Sequence, residues 1–293
     1  MSDAPLLAGI ELGGTKTILV LGRGGDIVER VQVATTDPAA TLGPIAAKLA
    51  EWKPAAIGIA SFGPVAIHPD DPAFGQILAT PKPGWQGTDL IAALGRDVPA
   101  TLSTDVIAAA LAEGAAGAAR GLSDFVYVTI GTGIGMGIIA EGRPLTGTLH
   151  PEAGHLFVRR VPGDAFAGTC AFHGDCLEGL AAGPAIGARA GMKGSAVPDD
   201  HDCWRFVVDA LAHGLANLRL TLACEAIVLG GGVSVARPWL AAAIAARMDQ
   251  VLAAYLPKPS DVRRATLGND AGPRGALLLA ASALGAAHPK VRP

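Results

Sequence analysis

The sequence predicts an α/β protein built as two domains, and three observations carry that expectation. Half of its 293 residues are hydrophobic while only 4% are aromatic. The interior therefore has to be filled by Ala, Val, Leu and Ile packed against 39 glycines, which suits helices lying close on sheets. The length exceeds the ~100–200 residues of an ordinary single domain. A strand, a Gly/Thr turn and a returning strand also occur twice, at residues 6–21 and at 125–140, as an internal duplication would leave them.

Taken in order, Leu6–Leu12 is an apolar run ending in Gly13-Gly14-Thr15-Lys16-Thr17, so it reads as a strand turning into a second strand at Ile18–Leu21. Gly24-Gly25-Asp26 reverses the chain into a third, Ile27–Ala34. Helical spacing covers Pro38–Trp52 and leads to a strand at Ala55–Ala60. A Pro/Gly-rich stretch through Trp85 precedes a short helix at Thr88–Leu94, a strand at Ala100–Leu102 and an Ala-rich helix at Val106–Ala118.

The plan then restarts with strands at Phe125–Ile130 and Met136–Ala140, followed by an irregular segment from Arg143 to Cys176 without a counterpart in the first half. Helices are expected at Leu177–Ala190 and Asp202–Leu222, a strand at Ala226–Leu229, a helix at Ala236–Leu256 and a last Ala/Leu helix over 275–287. The boundary falls between Gly117 and Ser123, dividing the chain into 1–118 and 119–293, with 143–176 as an insert in the second domain. The terminal helix is free to pack back on the first.

A net charge of −3 without a long basic run leaves no electrostatic footprint for nucleic acid or an anionic membrane. Small-molecule chemistry is the better expectation. Met1–Leu7 is short and acidic and does not read as a signal peptide. No window offers the ~20 uninterrupted apolar residues of a membrane helix, so a cytoplasmic location is expected. There Cys170, Cys176, Cys203 and Cys224 stay reduced. Cys203 and Cys224 read as core thiols, and His68, His201, His213 and His288 lack a partner pattern and read as surface or packing residues.

Two Gly-rich hairpins suit a nucleotide held between domains, because glycine lets backbone N–H groups approach phosphate oxygens. Each could equally be a tight structural turn. Neither is a Walker loop, and Gly131-x-Gly-x-Gly does not lead into a helix as a dinucleotide fingerprint must. Gly230-Gly231-Gly232 ends a strand and precedes Val233-Ser234 and a helix, the place where α/β sheets bind ligands. Asp105 follows a strand and begins a helix, where it either caps the helix or presents a carboxylate to the cleft. Cys170-x-x-His173-x-x-Cys176 with one histidine from the upstream His150-Pro151-Glu152-Ala153-Gly154-His155 supplies two thiolates and two imidazoles, the ligand count of a closed, structural zinc site.

These residues together resemble the ROK family of sugar kinases, and within it the bacterial fructokinase branch. The carriers are Ile10 to Lys16, Gly58 to Pro64, Thr80 to Trp85, Thr104-Asp105-Val106, Val128 to Gly133, His150 to His155, and Cys170 to Pro184. The resemblance implies an actin-like ATPase fold, a ribonuclease H-like duplication hinged around an active-site cleft with a zinc-stapled insert. It implies phosphorylation of D-fructose by ATP and Mg²⁺, with a homodimer as the assembly. By the same resemblance, Gly13, Gly14, Thr15 and Lys16 with Gly131, Thr132 and Gly133 face the ATP phosphates, and Pro184 with Gly230, Gly231, Gly232, Val233 and Ser234 borders the adenosine. Asp105 matches the general base. Ser61, Lys82, Thr104, Glu152 and His155 fall on the sugar side. His155, Cys170, His173 and Cys176 match the zinc ligands, and Glu11 stands where other members carry an Asp of the magnesium shell.

One departure stands out. The branch reads T-D-V-N where this chain has Thr104-Asp105-Val106-Ile107. An apolar Ile replaces an amide that could bond near the sugar or steady the Asp105 turn, at a cost of ~0.5–1.5 kcal/mol if water substitutes. Catalysis is expected to survive this change, with the sugar preference exposed to it. The competing expectations are a kinase for mannose, glucose or N-acetylmannosamine, and a non-catalytic sugar-binding module. A DNA-binding regulator is disfavoured, because fewer than ten residues precede the first strand.

Overall fold

The structure is a computed structural model and describes residues 4–285 apart from 24 and 96. The first half forms a sheet from β1 (Leu6–Leu12), β2 (Lys16–Arg23), β3 (Asp26–Ala34), β4 (Ala56–Ser61) and β5 (Ala100–Thr104), with α1 (Pro38–Trp52) and α2 (Leu90–Leu94) between β3 and β5. α3 (Asp105–Ala116) leaves β5 without an intervening loop.

The second half forms a sheet from β6 (Phe125–Ile130), β7 (Ile134–Ala140), β8 (Arg143–Pro144), β9 (Ala226–Gly230) and β10 (Val262–Arg264). Its helices are α4 (Leu177–Ala181), α5 (Gly183–Ala190), α6 (Cys203–Leu222), α7 (Gly231–Ala236) and α8 (Leu240–Leu252), and α9 (Ala271–Ala283) ends the described chain.

The strand orders are β3-β2-β1-β4-β5 and β10-β9-β6-β7-β8. In each sheet the first three strands in sequence form an antiparallel meander, the fourth adds in parallel to the first, and the fifth adds in parallel to the fourth. The duplication is therefore complete in topology. The two edge strands of the second sheet, β8 and β10, have two and three residues, too short to leave a period-2 pattern in the sequence.

Three expected helices change at prolines. The span 177–190 breaks at Ala182, which is extended at φ −71 and ψ 166, so that α5 starts afresh with Pro184 in its first turn. Helix 236–256 shrinks to α8 because Pro238 separates it from α7, since a proline nitrogen has no hydrogen to donate. The last helix begins four residues earlier than expected, as Pro273 sits in its first turn, where a missing N–H costs nothing. It ends at Ala283, and the expected residues 286 and 287, like His288, lie outside the described residues.

The first core centres on Ile10, Leu12, Ile59 and Trp85, the second on Val128, Leu177, Trp204 and Leu215. A third apolar cluster, with Ile107, Ala108, Phe125, Ala276 and Leu279, joins α3 and α9 between the sheets. α3 lies unusually close to β7: a Cβ on Gly137 would stand 2.3 Å from the Val106 carbonyl oxygen. That contact brings the N-terminus of α3 up to the second sheet. Among the described residues, no helix is long and apolar enough to cross a membrane.

Candidate active site

Two cavities meet at Asp105. One, of about 300 Å³, is lined by Glu11, Lys16, Thr129, Gly230, Gly231, Gly232 and Gly272. The other, of about 640 Å³, is lined by Gly63, Thr104, His150, Glu152, His155 and Glu178. Asp105 and its neighbour Val106 line both. The helix cap is Thr104, whose Oγ1 accepts the Ile107 N–H at 3.2 Å. The Asp105 carboxylate is thus spared for the cleft, and it accepts the next backbone N–H, that of Val106, at 2.8 Å. Burial, reinforced by the charges of Glu11 and Glu152, pushes its pKa up to about 7. Glu11 is likewise raised by burial, an effect that Lys16 and Arg30 oppose.

On the first cavity's rim, Gly13 closes its turn by donating to the Lys16 carbonyl at 3.1 Å, leaving Gly14 and Thr15 exposed at the tip while Lys16 reaches the wall. The second turn is closed the same way, Gly131 N–H to Gly133 O at 2.9 Å, with Thr132 exposed. Gly231 has φ +82 and passes so close to Ile130 that a Cβ would clash at 2.5 Å, so only glycine fits this loop. Pro184 and Val233 stand beside the second turn, outside the cavity wall, where Gly183 donates to Gly131 O at 2.7 Å. Ser234 lies beneath the loop, 3% exposed, and its Oγ has no hydrogen-bond partner.

In the second cavity, Glu152 and His155 share one short helical turn, Ala153–His155, closed by His155 N–H to Glu152 O at 3.0 Å. A Cβ on Gly154 would lie 1.8 Å from the Ile134 carbonyl oxygen, so the Glu-Ala-Gly-His spacing presses this turn onto β7. Burial and the nearby Glu178 push the pKa of Glu152 up to about 7. Sequence reasoning missed Glu178, which accepts the Ile134 N–H at 2.9 Å; its signal was its place directly after Cys176-Leu177.

Two expected sugar-side residues fall elsewhere. Ser61 is fully buried and donates to its neighbour's carbonyl, Phe62 O, at 2.8 Å, because β4 is an inner strand covered on both faces. Lys82 does not line the second cavity. Its Cε lies 3.9 Å from the Cβ position of Gly14 and its ammonium is over the Phe62 ring at 5.7 Å, on a loop anchored by the buried Trp85. Ile107, which stands where the branch carries an Asn, is 1% exposed and packs in the core, and its side chain lines neither cavity.

His155, Cys170, His173 and Cys176 converge, their donor atoms all within 4.8 Å of one another. Cys176 Sγ and Cys170 Sγ are 3.5 and 3.6 Å from His155 Nδ1, and Cys170 Sγ is 3.8 Å from His173 Nδ1. A tetrahedral zinc with ordinary bond lengths spaces sulfur and nitrogen about 3.6 Å apart, so the donor set fits that ion. His150 is not among the four. Cys203 and Cys224 are buried free thiols, as expected.

Two duplicated α/β halves with ligand-sized cavities meeting on one carboxylate define the class as a ROK sugar kinase fold of the actin-like ATPase type. The chain belongs to the ROK family, whose model matches residues 7–283. It is 38% identical to a fructokinase of Pediococcus pentosaceus over 289 residues, covering 95% of this chain and 99% of that protein. Among solved structures it resembles a ROK hexokinase from Thermus thermophilus at TM-score 0.78 and 29% identity, covering 96% and 99% of the two chains. It also resembles a ROK family glucokinase from Streptomyces griseus in complex with glucose and AMPPNP, at TM-score 0.76 and 27% identity, covering 94% and 99%.

Proposed function

We propose that the chain transfers the γ-phosphoryl group of ATP to the 6-hydroxyl of D-fructose, giving fructose 6-phosphate and ADP. The observation that carries this reading is Asp105, common to a glycine-rimmed cavity with Lys16 and a second cavity with Glu152 and His155. On this reading the phosphates lie along Gly13 to Lys16 and Gly131 to Gly133, the adenosine lies toward Gly230 to Gly232 and the start of α5, and the sugar lies with Glu152 and His155. Fructose is favoured over other hexoses by the 38% identity to a fructokinase against 29% and 27% to the hexokinase and glucokinase.

Asp105 takes the proton of the sugar hydroxyl as its oxygen bonds to the γ-phosphorus, and the bond to the β–γ bridging oxygen breaks, leaving its electron pair on ADP. Glu11 would face Mg²⁺, and the ion would supply neutralisation of phosphate charge. Zinc on His155, Cys170, His173 and Cys176 would be structural, because four protein ligands leave no position for an activated water. The domains divide at 118/119, so closure of the halves would exclude water from the transfer. The assembly implied by the resemblance is a homodimer.

The test is an ADP-release assay over fructose, mannose, glucose and N-acetylmannosamine. The expected outcome is the highest kcat/KM with fructose; a higher value for another hexose overturns the choice of sugar, and no turnover with any of them overturns the kinase reading.

A further inference from the structure

The second cavity holds a buried histidine that neither the zinc cluster nor the phosphoryl transfer uses. His150 is 5% exposed. Its Nε2 lies 3.2 Å from the backbone nitrogen of Val65. A backbone N–H can only donate, so this Nε2 carries no proton and the proton of the neutral ring resides on Nδ1. Nδ1 faces Glu152 Oε1 at 3.4 Å. Burial lowers the pKa of His150, an effect that a hydrogen bond with the Pro151 backbone opposes.

The bond also joins distant parts of the fold. Val65 follows β4 of the first sheet, whereas His150 follows β8 of the second. The same loop presents Gly63, where a Cβ would stand 3.1 Å from His150 Cε1 and 3.3 Å from Glu152 Oε1. Three residues beyond Glu152 the chain is held by His155 in the four-donor cluster; two residues before it the chain is held by His150 across the cleft.

We propose that His150 is a positioning residue, which anchors the insert to the first half through Val65 and aims the Glu152 carboxylate into the sugar cavity. This rests on the reading of Glu152 as the sugar-binding group. The ring acts through Glu152 and makes no bond to the reacting atoms.

A double-mutant cycle tests it, with steady-state kinetics for fructose and ATP on the full chain. His150→Ala is expected to lower kcat/KM for fructose by up to about 10²-fold, chiefly through KM, with the KM for ATP unchanged. His150→Gln, which offers a carbonyl to Val65 and an amide N–H to Glu152, should recover most of that loss. In the Glu152→Gln background, His150→Ala should add little, because both substitutions remove one function. Fully additive losses, an equal rise in the KM for ATP, or an unaltered fructose KM in His150→Ala would each overturn the role. Failure of His150→Gln to recover fructose binding while the variant retains its bound zinc and wild-type melting temperature would do so too. A wild type without turnover on any hexose would sink the kinase reading and this one together, whereas an active wild type with additive variants overturns the positioning role alone.

Discussion

Asp105 owes its chemistry to one residue's offset along the chain. Thr104 takes the capping bond, so the carboxylate at the first position of α3 remains available where the two cavities join. Asp105→Asn keeps size and backbone but cannot accept a proton, and should lower kcat by roughly 10²–10⁴-fold while ATP binding, followed by calorimetry, persists. Only the ionised carboxylate acts as a base, so with its pKa at about 7 the kcat/KM should rise with pH up to about 7 and then level off. The charge of Glu11 contributes to that elevation. Glu11→Gln should therefore move the acidic limb of the pH profile to lower pH, and an unmoved limb would show that the titrating group is not Asp105.

At the scale of elements, the insert between β8 and α4 has little regular structure of its own and depends on side-chain ties. The four-donor cluster is one. Another is Arg189 of α5, whose Nη1 and Nη2 each lie 2.9 Å from the Asp164 carboxylate, holding its pKa down at about 2. Cys170→Ser, or treatment with a chelator, should loosen the turn that carries Glu152 and His155 and raise the KM for fructose more than that for ATP. Metal analysis of the purified protein should find one zinc per chain, and full activity without it would refute the structural role. Thr104→Ala should cost about 1 kcal/mol of stability through the lost cap, read by urea denaturation.

Across the whole molecule, the halves are interleaved by α9, the last helix among the described residues. α9 packs on β1 and β4 of the first sheet although it follows the second. A Cβ on Gly58 would stand 1.9 Å from the Ala276 carbonyl oxygen, so Gly58→Ala should destabilise the protein by about 1–3 kcal/mol or more, measured as a lower denaturation midpoint. Where the chain crosses between halves, buried Glu113 on α3 accepts from Ala118 N–H at 2.7 Å on the way out and from Thr266 and Leu267 N–H at 3.0 and 2.9 Å on the way back. Glu113→Ala leaves those three donors without their acceptor and should lower the melting temperature more than a surface substitution does.

Read alone, the sequence determined the α/β class, most strand and helix positions, the repeated Gly/Thr turns and the Cys-x-x-His-x-x-Cys donor set, because each is a local pattern of spacing and residue type. It marked Asp105 and Glu152 but left open whether Asp105 caps a helix, a choice settled by the Thr104 hydroxyl one residue earlier. Tertiary structure alone decided that Lys82 stands by Gly14 and that Ile107 points into the core. It also decided that His150 reaches Val65 and that α9 returns to the first sheet. These are contacts between residues far apart in the chain, fixed by which faces the two sheets bury, and periodicity along the sequence carries no record of them.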